Sequence, residues 1–401
     1  MHTGDPALIE LIRESIRARG PVSFAWFMEQ ALYHPEHGYY SSGRCAIGRA
    51  GDYFTSVSVG PLFGELLAAQ FVEMWEALGR PADFTIVEQG AHQGEFAADM
   101  LSAVRTKAPG FFSALRYRII EPFPVLRERQ GKALSPFETK VEWRDSLQSI
   151  EPFAGVHFSN ELFDALPAHL ICSRGPAVRV TAELRETSWD ERLVDLQNDE
   201  FIFVERPIRS PMLRARLPRL PSRPAGYTTE VNLAALGLIE TISRRLERGF
   251  VLAVDYGYPR EEYYGALRRE GTLRCRSQHR VVSSPFEEIG HADIATHVEW
   301  TSVAERAVNC GLTLAGFADQ HHFITGLMAS ALRNELSHAE PRTRRALQTL
   351  LHPELLGTSF QFLALSKGSG IRTPLSGFRF GPEPSAFLGL IAGSGKFGQQ
   401  H

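Results

Sequence analysis

The chain has 401 residues, 43% of them hydrophobic and 22% charged, enough to bury a large core and to carry insertions. A formal charge of −3 and a pI near 6.5 exclude the global basic field that nucleic acid selects, and no apolar run is long enough to span a membrane. Cys45, Cys172, Cys275 and Cys310 are scattered without C-x-x-C or zinc spacing, which points to reduced thiols, no disulfide framework and a cytoplasmic setting.

Met1–Gly20 mixes Asp5, Glu10 and Glu14 with Arg13, Arg17 and Arg19, unlike a signal or transit peptide. Leu8, Ile9, Ile12 and Ile16 share one helical face, and Ser23 caps a second helix through Phe24, Phe27, Met28 and Leu32. His34 and His37, in His-Pro-Glu-His without zinc-type ligand spacing, read as structural, so no metal site is expected. A glycine-studded loop, Gly48–Ser56, has the length of a functional loop. An amphipathic helix over Pro61–Leu78 then leads to the central stretch.

That stretch is Phe84–Leu101. Phe84, Ile86 and Val87 suit a strand buried on both faces, and Phe96, Ala97, Met100 and Leu101 recur at helical spacing. Between them, Glu88-Gln89-Gly90-Ala91-His92-Gln93-Gly94 forms a strand-to-helix loop, the place where a doubly wound sheet receives a nucleotide-like ligand. The Gly90 to Gly94 spacing, with an acidic residue two positions ahead, fits the E/D-x-G-x-G-x-G loop of class I S-adenosylmethionine (SAM) methyltransferases better than G-x-G-x-x-G; His92 takes the middle position.

Further strands are expected over Tyr117–Ile120, Thr139–Trp143, Val156–Ser159, Gly249–Val254, Gly311–Phe317 and Ser359–Ser366, the last antiparallel. Glu121 ends the first of these, where an acidic side chain accepts from ribose hydroxyls; its other reading is an N-cap ahead of Pro122. Asp145-Ser146 follows the next strand, and Asn160-Glu161-Leu162-Phe163-Asp164 follows the one after, at the crevice of such a sheet. Val178–Leu184, Arg192–Gln197 and Glu200–Val204 alternate like antiparallel strands. Arg209–Arg223, rich in Pro and Arg, reads as an exposed linker or as a site for an acidic partner. Leu327–Leu351 reads as helical.

In ALYHPEHGYY (31–40), GDYFTSVSVGPLFGELLA (51–68), VEQGAHQGEFAADML (87–101), IIEPFPVLRERQ (119–130), SNELFDALPAHL (159–170), RGFVLAVDYGYP (248–259) and the stretch 271–300, the sequence resembles the MidA-type family, which includes a mitochondrial complex I assembly factor and protein-arginine methyltransferase. It departs from the family pattern at His92, and at Thr55-Ser56-Val57-Ser58, where Thr-Ser-Pro-Glu is usual. The resemblance implies an α/β fold: a class I SAM-methyltransferase Rossmann-like seven-stranded sheet with an N-terminal helical cap and an inserted β-hairpin layer. The expected segments are 1–60 for the cap and glycine-rich loop, 61–170 for the SAM-binding core, 171–228 for the hairpin layer and Pro-Arg arm, 229–370 for the rest of the core with a substrate-side loop at 258–300, and 371–401 for the tail.

It also implies SAM as cofactor and a protein arginine as acceptor, with a link to respiratory complex assembly; a homodimer is a further expectation. On this reading Gly51, Asp52, Glu88, Gly90, His92, Gly94, Glu121, Asp145, Ser146 and Asn160 bind cofactor: Glu88 lies near the methionine ammonium, Glu121 on the ribose and Asp145-Ser146 near adenine. Glu161 and Asp164 orient the guanidinium, since planar pairing with carboxylates aims one nitrogen at the methyl group. Tyr39, Tyr40 and Asp255 are expected on the substrate side. Asp164 also reads as a helix N-cap and the tyrosines as a packed hairpin. Two other classes compete: a non-catalytic scaffold that keeps the fold with a degenerate loop, and a nicotinamide-dependent oxidoreductase, which the glycine spacing disfavours.

Overall fold

Phe84–Gln89 (β1) is buried at every position but the last, with Phe84, Ile86 and Val87 supplying its apolar side chains. Such a strand is stable only inside a sheet covered on both faces. In the computed structural model, which describes residues 3–44, 55–175, 189–277, 280–330, 340–370 and 374–390, β1 sits within a sheet whose main path orders seven strands. The others are β2 (Leu115–Ile120), β3 (Val141–Arg144), β4 (Phe153–Asn160), β5 (Leu246–Tyr258), β6 (Thr313–Asp319) and β7 (Phe360–Lys367).

The order is β3-β2-β1-β4-β5-β7-β6. The first five run parallel, and β7 is antiparallel to both β5 and β6, as the sequence predicts. The chain winds from β1 outward to β3, then returns to β4 on the other side of β1. The reversal opens a crevice beyond the carboxyl ends of β1 and β4, where open α/β sheets bind ligands. One covering layer comes from helices Leu62–Ala77 and Glu95–Lys107. Their Phe71 and Phe96 rings meet Phe158 of β4 at 5.5 and 4.4 Å between centroids. The expected Leu327–Leu351 helix is two in the described residues, Gln320–Ser330 and Pro341–Leu351, and 331–339 lie outside them.

The chain divides into two compact units. The sheet belongs to the one formed by Thr55–Leu162, Leu238–Arg260 and Glu299–His401, and the other comprises Met1–Phe54, Phe163–Gly237 and Glu261–Val298. The second unit thus joins segments that boundaries at 60, 170 and 228 keep apart. Helices Pro6–Arg19 and Phe24–Tyr33 bury Leu8, Ile12, Ile16, Phe24, Phe27 and Met28, and Ser23 caps the second by accepting from Trp26 N–H at 3.1 Å. Trp189–Gln197 and Glu200–Pro207 form the expected hairpin, turning at Asn198 and Asp199, both left-handed as a tight two-residue turn requires. The expected strand at 178–184 lies outside the described residues.

Residues 209–223 correct the reading of an exposed linker. Leu213 and Leu217 are buried, Arg214 Nε donates to the Ile208 carbonyl at 2.7 Å, and Arg223 Nε donates to the Tyr264 carbonyl at 2.7 Å. Two leucines at short spacing are enough to pin an otherwise polar, proline-rich segment.

Candidate active site

The loop after β1 is built on left-handed backbone at alternate positions. Gly90 has φ of 84°, His92 of 46° and Gly94 of 83°. The glycines adopt this at no steric cost, whereas His92 pays roughly 1–2 kcal/mol for its Cβ. The middle position of the motif therefore keeps its conformation without its glycine. A Cβ on Gly94 would press on Gln130 and Leu134 at 3.3–3.5 Å, and one on Gly90 would meet Leu162 at 3.5 Å. These contacts hold the loop between helix Pro124–Ala133 and the segment after β4.

Glu88, expected near the methionine ammonium, is buried at 3% exposure, and its Oε2 accepts from the Tyr117 hydroxyl at 2.8 Å. Burial pushes its carboxyl up to about 7, against the pull of that hydrogen bond.

Glu121 ends β2 with a carboxylate already ordered. Phe123 N–H donates to Oε1 and Gln130 Nε2 donates to Oε2, each at 3.0 Å. Helix Pro124–Ala133 has Phe123 as its N-cap residue with no side-chain cap, so Glu121 is not that cap. Burial raises its carboxyl above the ordinary value, opposed by the two hydrogen bonds and by Arg127. Arg127 Nε donates to the Glu121 carbonyl at 2.6 Å and its guanidinium pairs with Asp145, which is exposed. Asp145, expected near adenine, is therefore an ion-pair partner at the sheet rim. Ser146 opens a turn in which its carbonyl accepts from Ser149 Oγ at 2.7 Å.

Past β4, Asn160 Nδ2 donates to Glu161 Oε1 at 3.0 Å, while Asn160 Oδ1 is shielded from solvent and has no hydrogen-bond partner among the described residues. Glu161 is left-handed at 52°, and its N–H donates to the Val254 carbonyl at 2.9 Å. A glutamate held in this region is an observed strain of the kind that collects at functional sites. Asp255 is fully buried, and its carboxylate accepts from Leu162 N–H at 3.1 Å and Tyr256 N–H at 2.8 Å. It braces the loop after β4 and offers no exposed oxygen to a substrate.

In the other unit, Tyr39 is 1% exposed inside the apolar cluster of the N-terminal helices. Tyr40 stacks on Tyr33 and donates its hydroxyl to Asp293 at 2.6 Å. Both take the packed alternative of their two readings. No helix begins at Asp164, so it is not an N-cap. Instead the carbonyls of residues 163–166 are all held: Asn232 Nδ2 reaches Phe163 and Leu166, Thr296 N–H reaches Asp164, and the Tyr33 hydroxyl reaches Ala165. Gly51 and Asp52 lie outside the described residues. At the second sequence departure, Ser58 and Thr55 exchange side-chain-to-backbone bonds at 3.2 and 3.3 Å, which close the four-residue turn on itself.

Residues 66–318 match the family described as "Putative S-adenosyl-L-methionine-dependent methyltransferase". The chain belongs to this family. A Burkholderia thailandensis protein crystallised with S-adenosyl-homocysteine is similar at a TM-score of 0.81 and 31% identity, over 93% of this chain and 94% of that one. Among curated relatives, the "Protein arginine methyltransferase NDUFAF7 homolog, mitochondrial" of Drosophila melanogaster is 27% identical over 91% of this chain and 86% of its own, and human "Protein arginine methyltransferase NDUFAF7, mitochondrial" is 26% identical over 87% and 81%. The mitochondrial relatives overturn the cytoplasmic expectation. Scattered thiols report a reducing environment and cannot say which compartment supplies it.

The methyltransferase cofactor SAM fits the residues on this crevice. The left-handed loop at 90–94 leaves room for close approach, Glu121 presents an ordered acceptor for hydroxyls, and Asn160 Oδ1 is a shielded acceptor still lacking a donor. Three residues that organise this site, Arg127, Gln130 and Trp143, escape sequence reasoning. Gln130 is fully buried, yet an isolated glutamine in a polar helix looks like surface. No group of three or more His, Cys, Asp or Glu suited to a metal occurs among the described residues.

Proposed function

We propose that this SAM-dependent methyltransferase transfers the methyl group to an arginine side chain of a protein. The observation that carries the reading is Glu161, an acidic side chain at the carboxyl end of β4, held in left-handed backbone and ordered by Asn160. The arginine methyltransferase names of the relatives support the acceptor.

Bound SAM supplies an electrophilic sulfonium methyl. The work left to the chain is positioning and desolvation, since displacement at a methyl carbon needs alignment more than side-chain chemistry. Glu161 accepts N–H bonds from the guanidinium and aims one nitrogen at the methyl carbon. The carboxylate of Glu161 would be the first acceptor for the proton that the methylated nitrogen gives up. Glu121 carries the ribose hydroxyls, and the amides of 90–94 approach the methionine end. Ser146 and Asp145 line the adenine side.

A respiratory-complex subunit is proposed as the protein substrate on the family resemblance, and the mitochondrial names of the relatives support the compartment. The homodimer is proposed with it, and light scattering of the purified chain tests that. The decisive experiment incubates the full chain with methyl-labelled SAM and mitochondrial extract, then hydrolyses the product. Labelled methylarginine is expected, reduced at least tenfold by Glu161→Gln. Label on another residue type, or none with SAM demonstrably bound, overturns the reading. The second outcome would favour the scaffold alternative.

A further inference from the structure

Gln130 is 0% exposed and every polar hydrogen-bonding atom of its amide is used. Nε2 donates to Glu121 Oε2 at 3.0 Å and to the His92 carbonyl at 2.9 Å, and Oε1 accepts from Trp143 Nε1 at 2.8 Å. The two oxygens can only accept and the indole N–H can only donate, so the amide has one orientation. Three segments meet on it: the glycine loop after β1, the carboxylate after β2 and the indole on β3. The backbone beside it also forms the wall against which Gly94 packs, at 3.4 Å from a Cβ there.

We propose that Gln130 is a positioning residue for the nucleoside, locking the Glu121 carboxylate and the His92 turn into one rigid acceptor arrangement. This rests on the reading of the crevice as the SAM site. No other residue type replaces Gln130. Asparagine is a methylene short, methionine makes none of the three bonds, and glutamate keeps the acceptor for Trp143 but loses both donors and sets two carboxylates face to face.

The glutamate variant gives the proposal a signature that mere loss of packing lacks. In the wild type, Glu121 must be ionised to accept from two hydroxyls, and burial raises its carboxyl, so affinity weakens as pH falls. The other groups around it are the Arg127 guanidinium on its carbonyl, Asp145 beyond that guanidinium, the Arg144 carbonyl on its N–H, and the His92 turn. In Gln130→Glu one shared proton restores a donor between the carboxyls, so affinity rises as pH falls. The trends have opposite signs.

The test is calorimetry of S-adenosylhomocysteine on the full chain at pH 8 and pH 5.5, for wild type, Gln130→Met and Gln130→Glu, with thermal melts confirming folding. Expected are binding by wild type, at least tenfold weaker binding by Gln130→Met at pH 8, and the reversed pH trend in Gln130→Glu. Wild-type binding with Gln130→Met within twofold of it, or with Gln130→Glu following the wild-type trend, overturns the role of Gln130. No binding by folded wild type overturns the SAM reading itself.

Discussion

Glu88 and Tyr117 face each other from adjacent parallel strands, their oxygens 2.8 Å apart and both side chains buried. The pair leaves a carboxyl in a dry place with one donor, which is why it titrates near 7. Its ordinary value is 4.5, so between about 4.5 and about 7 the folded state keeps a proton that the unfolded chain has released. The sign follows: this group's contribution favours folding at low pH and is lost as pH rises through 7. Replacing Glu88 by Gln keeps an acceptor for the hydroxyl and removes the charge. We expect Glu88→Gln to raise Tm at pH 8 by several degrees, an upper limit of about 3 kcal/mol, and to leave Tm near wild type at pH 5. Melts across that range check it; an equal shift at both ends would show that Glu88 is not protonated in the fold.

His92 decides whether the loop is degenerate or merely decorated. Its φ of 46° shows that the position retains the conformation for which glycine is usual. His92→Gly should therefore change stability by no more than about 1 kcal/mol, because relief of Cβ strain offsets the extra freedom of the unfolded chain. His92→Val, whose branched side chain tolerates this region poorly, should lower Tm and cofactor affinity together. Calorimetry with S-adenosylhomocysteine, run beside thermal melts, measures both. If the valine variant binds like wild type, the turn is not part of the cofactor site.

The central sheet was legible because strands buried on both faces announce themselves, as Ile86-Val87 and Val251-Leu252-Ala253-Val254 do. The starts of β4 and β5 were not. Gly155 looks like punctuation ahead of the expected strand and Gly249 like the first residue of its own, yet both sit inside strands at φ of 149° and 140°, and a Cβ on either would come within 1.9 Å of the neighbouring strand's carbonyl. The glycines mark close backbone approach, not turns. At the site, the charged residues at strand ends were readable from position alone. The groups that orient them were not, since Gln130 and Asn232 act through bonds to segments far away in sequence. Tyr39 and Asp255 show the converse: residues typical of a substrate channel that the fold uses for packing and loop bracing.

Asn232 is such a group for the loop carrying Asp164. Its Nδ2 donates to the carbonyls of Phe163 and Leu166 at 3.4 and 3.0 Å, and its Oδ1 accepts from Ala235 N–H at 2.9 Å. One side chain thus starts a helix and pins both ends of a four-residue turn. Asn232→Ala should cost about 1–2 kcal/mol through the lost cap and two unpaired carbonyls. If Asp164 orients the acceptor, kcat should also fall at least tenfold while S-adenosylhomocysteine affinity stays within twofold. Asn232→Asp restores the cap without the donors, so it should recover only the cap's share of the stability and none of the turnover. Recovery of both would tie the loss to the helix alone.

Gly271 tests how tightly the second unit is built around Glu230, and Gly131, in the sheet unit, serves as its comparison. That carboxylate is 1% exposed and accepts four bonds: from Thr272 and Leu273 N–H at 2.8 and 3.0 Å, Thr272 Oγ1 at 3.2 Å and the Tyr263 hydroxyl at 2.9 Å. The turn that delivers those amides has Gly271 at φ of 73°, and a Cβ there would lie 2.2 Å from Glu230 Oε1. Gly271→Ala must move the carboxylate or open the turn, and either leaves buried polar groups short of partners. We expect a loss of about 3 kcal/mol or more. Gly131, in helix Pro124–Ala133, has ordinary helical backbone, and a methyl group at its Cα would meet nothing within 4 Å. Gly131→Ala should therefore stabilise by about 0.5–1 kcal/mol, since alanine is the better helix former. Denaturant melts of both variants give the comparison. A Gly271→Ala loss below about 1 kcal/mol would mean that the turn yields, and that Glu230 is held less rigidly than its four donors imply.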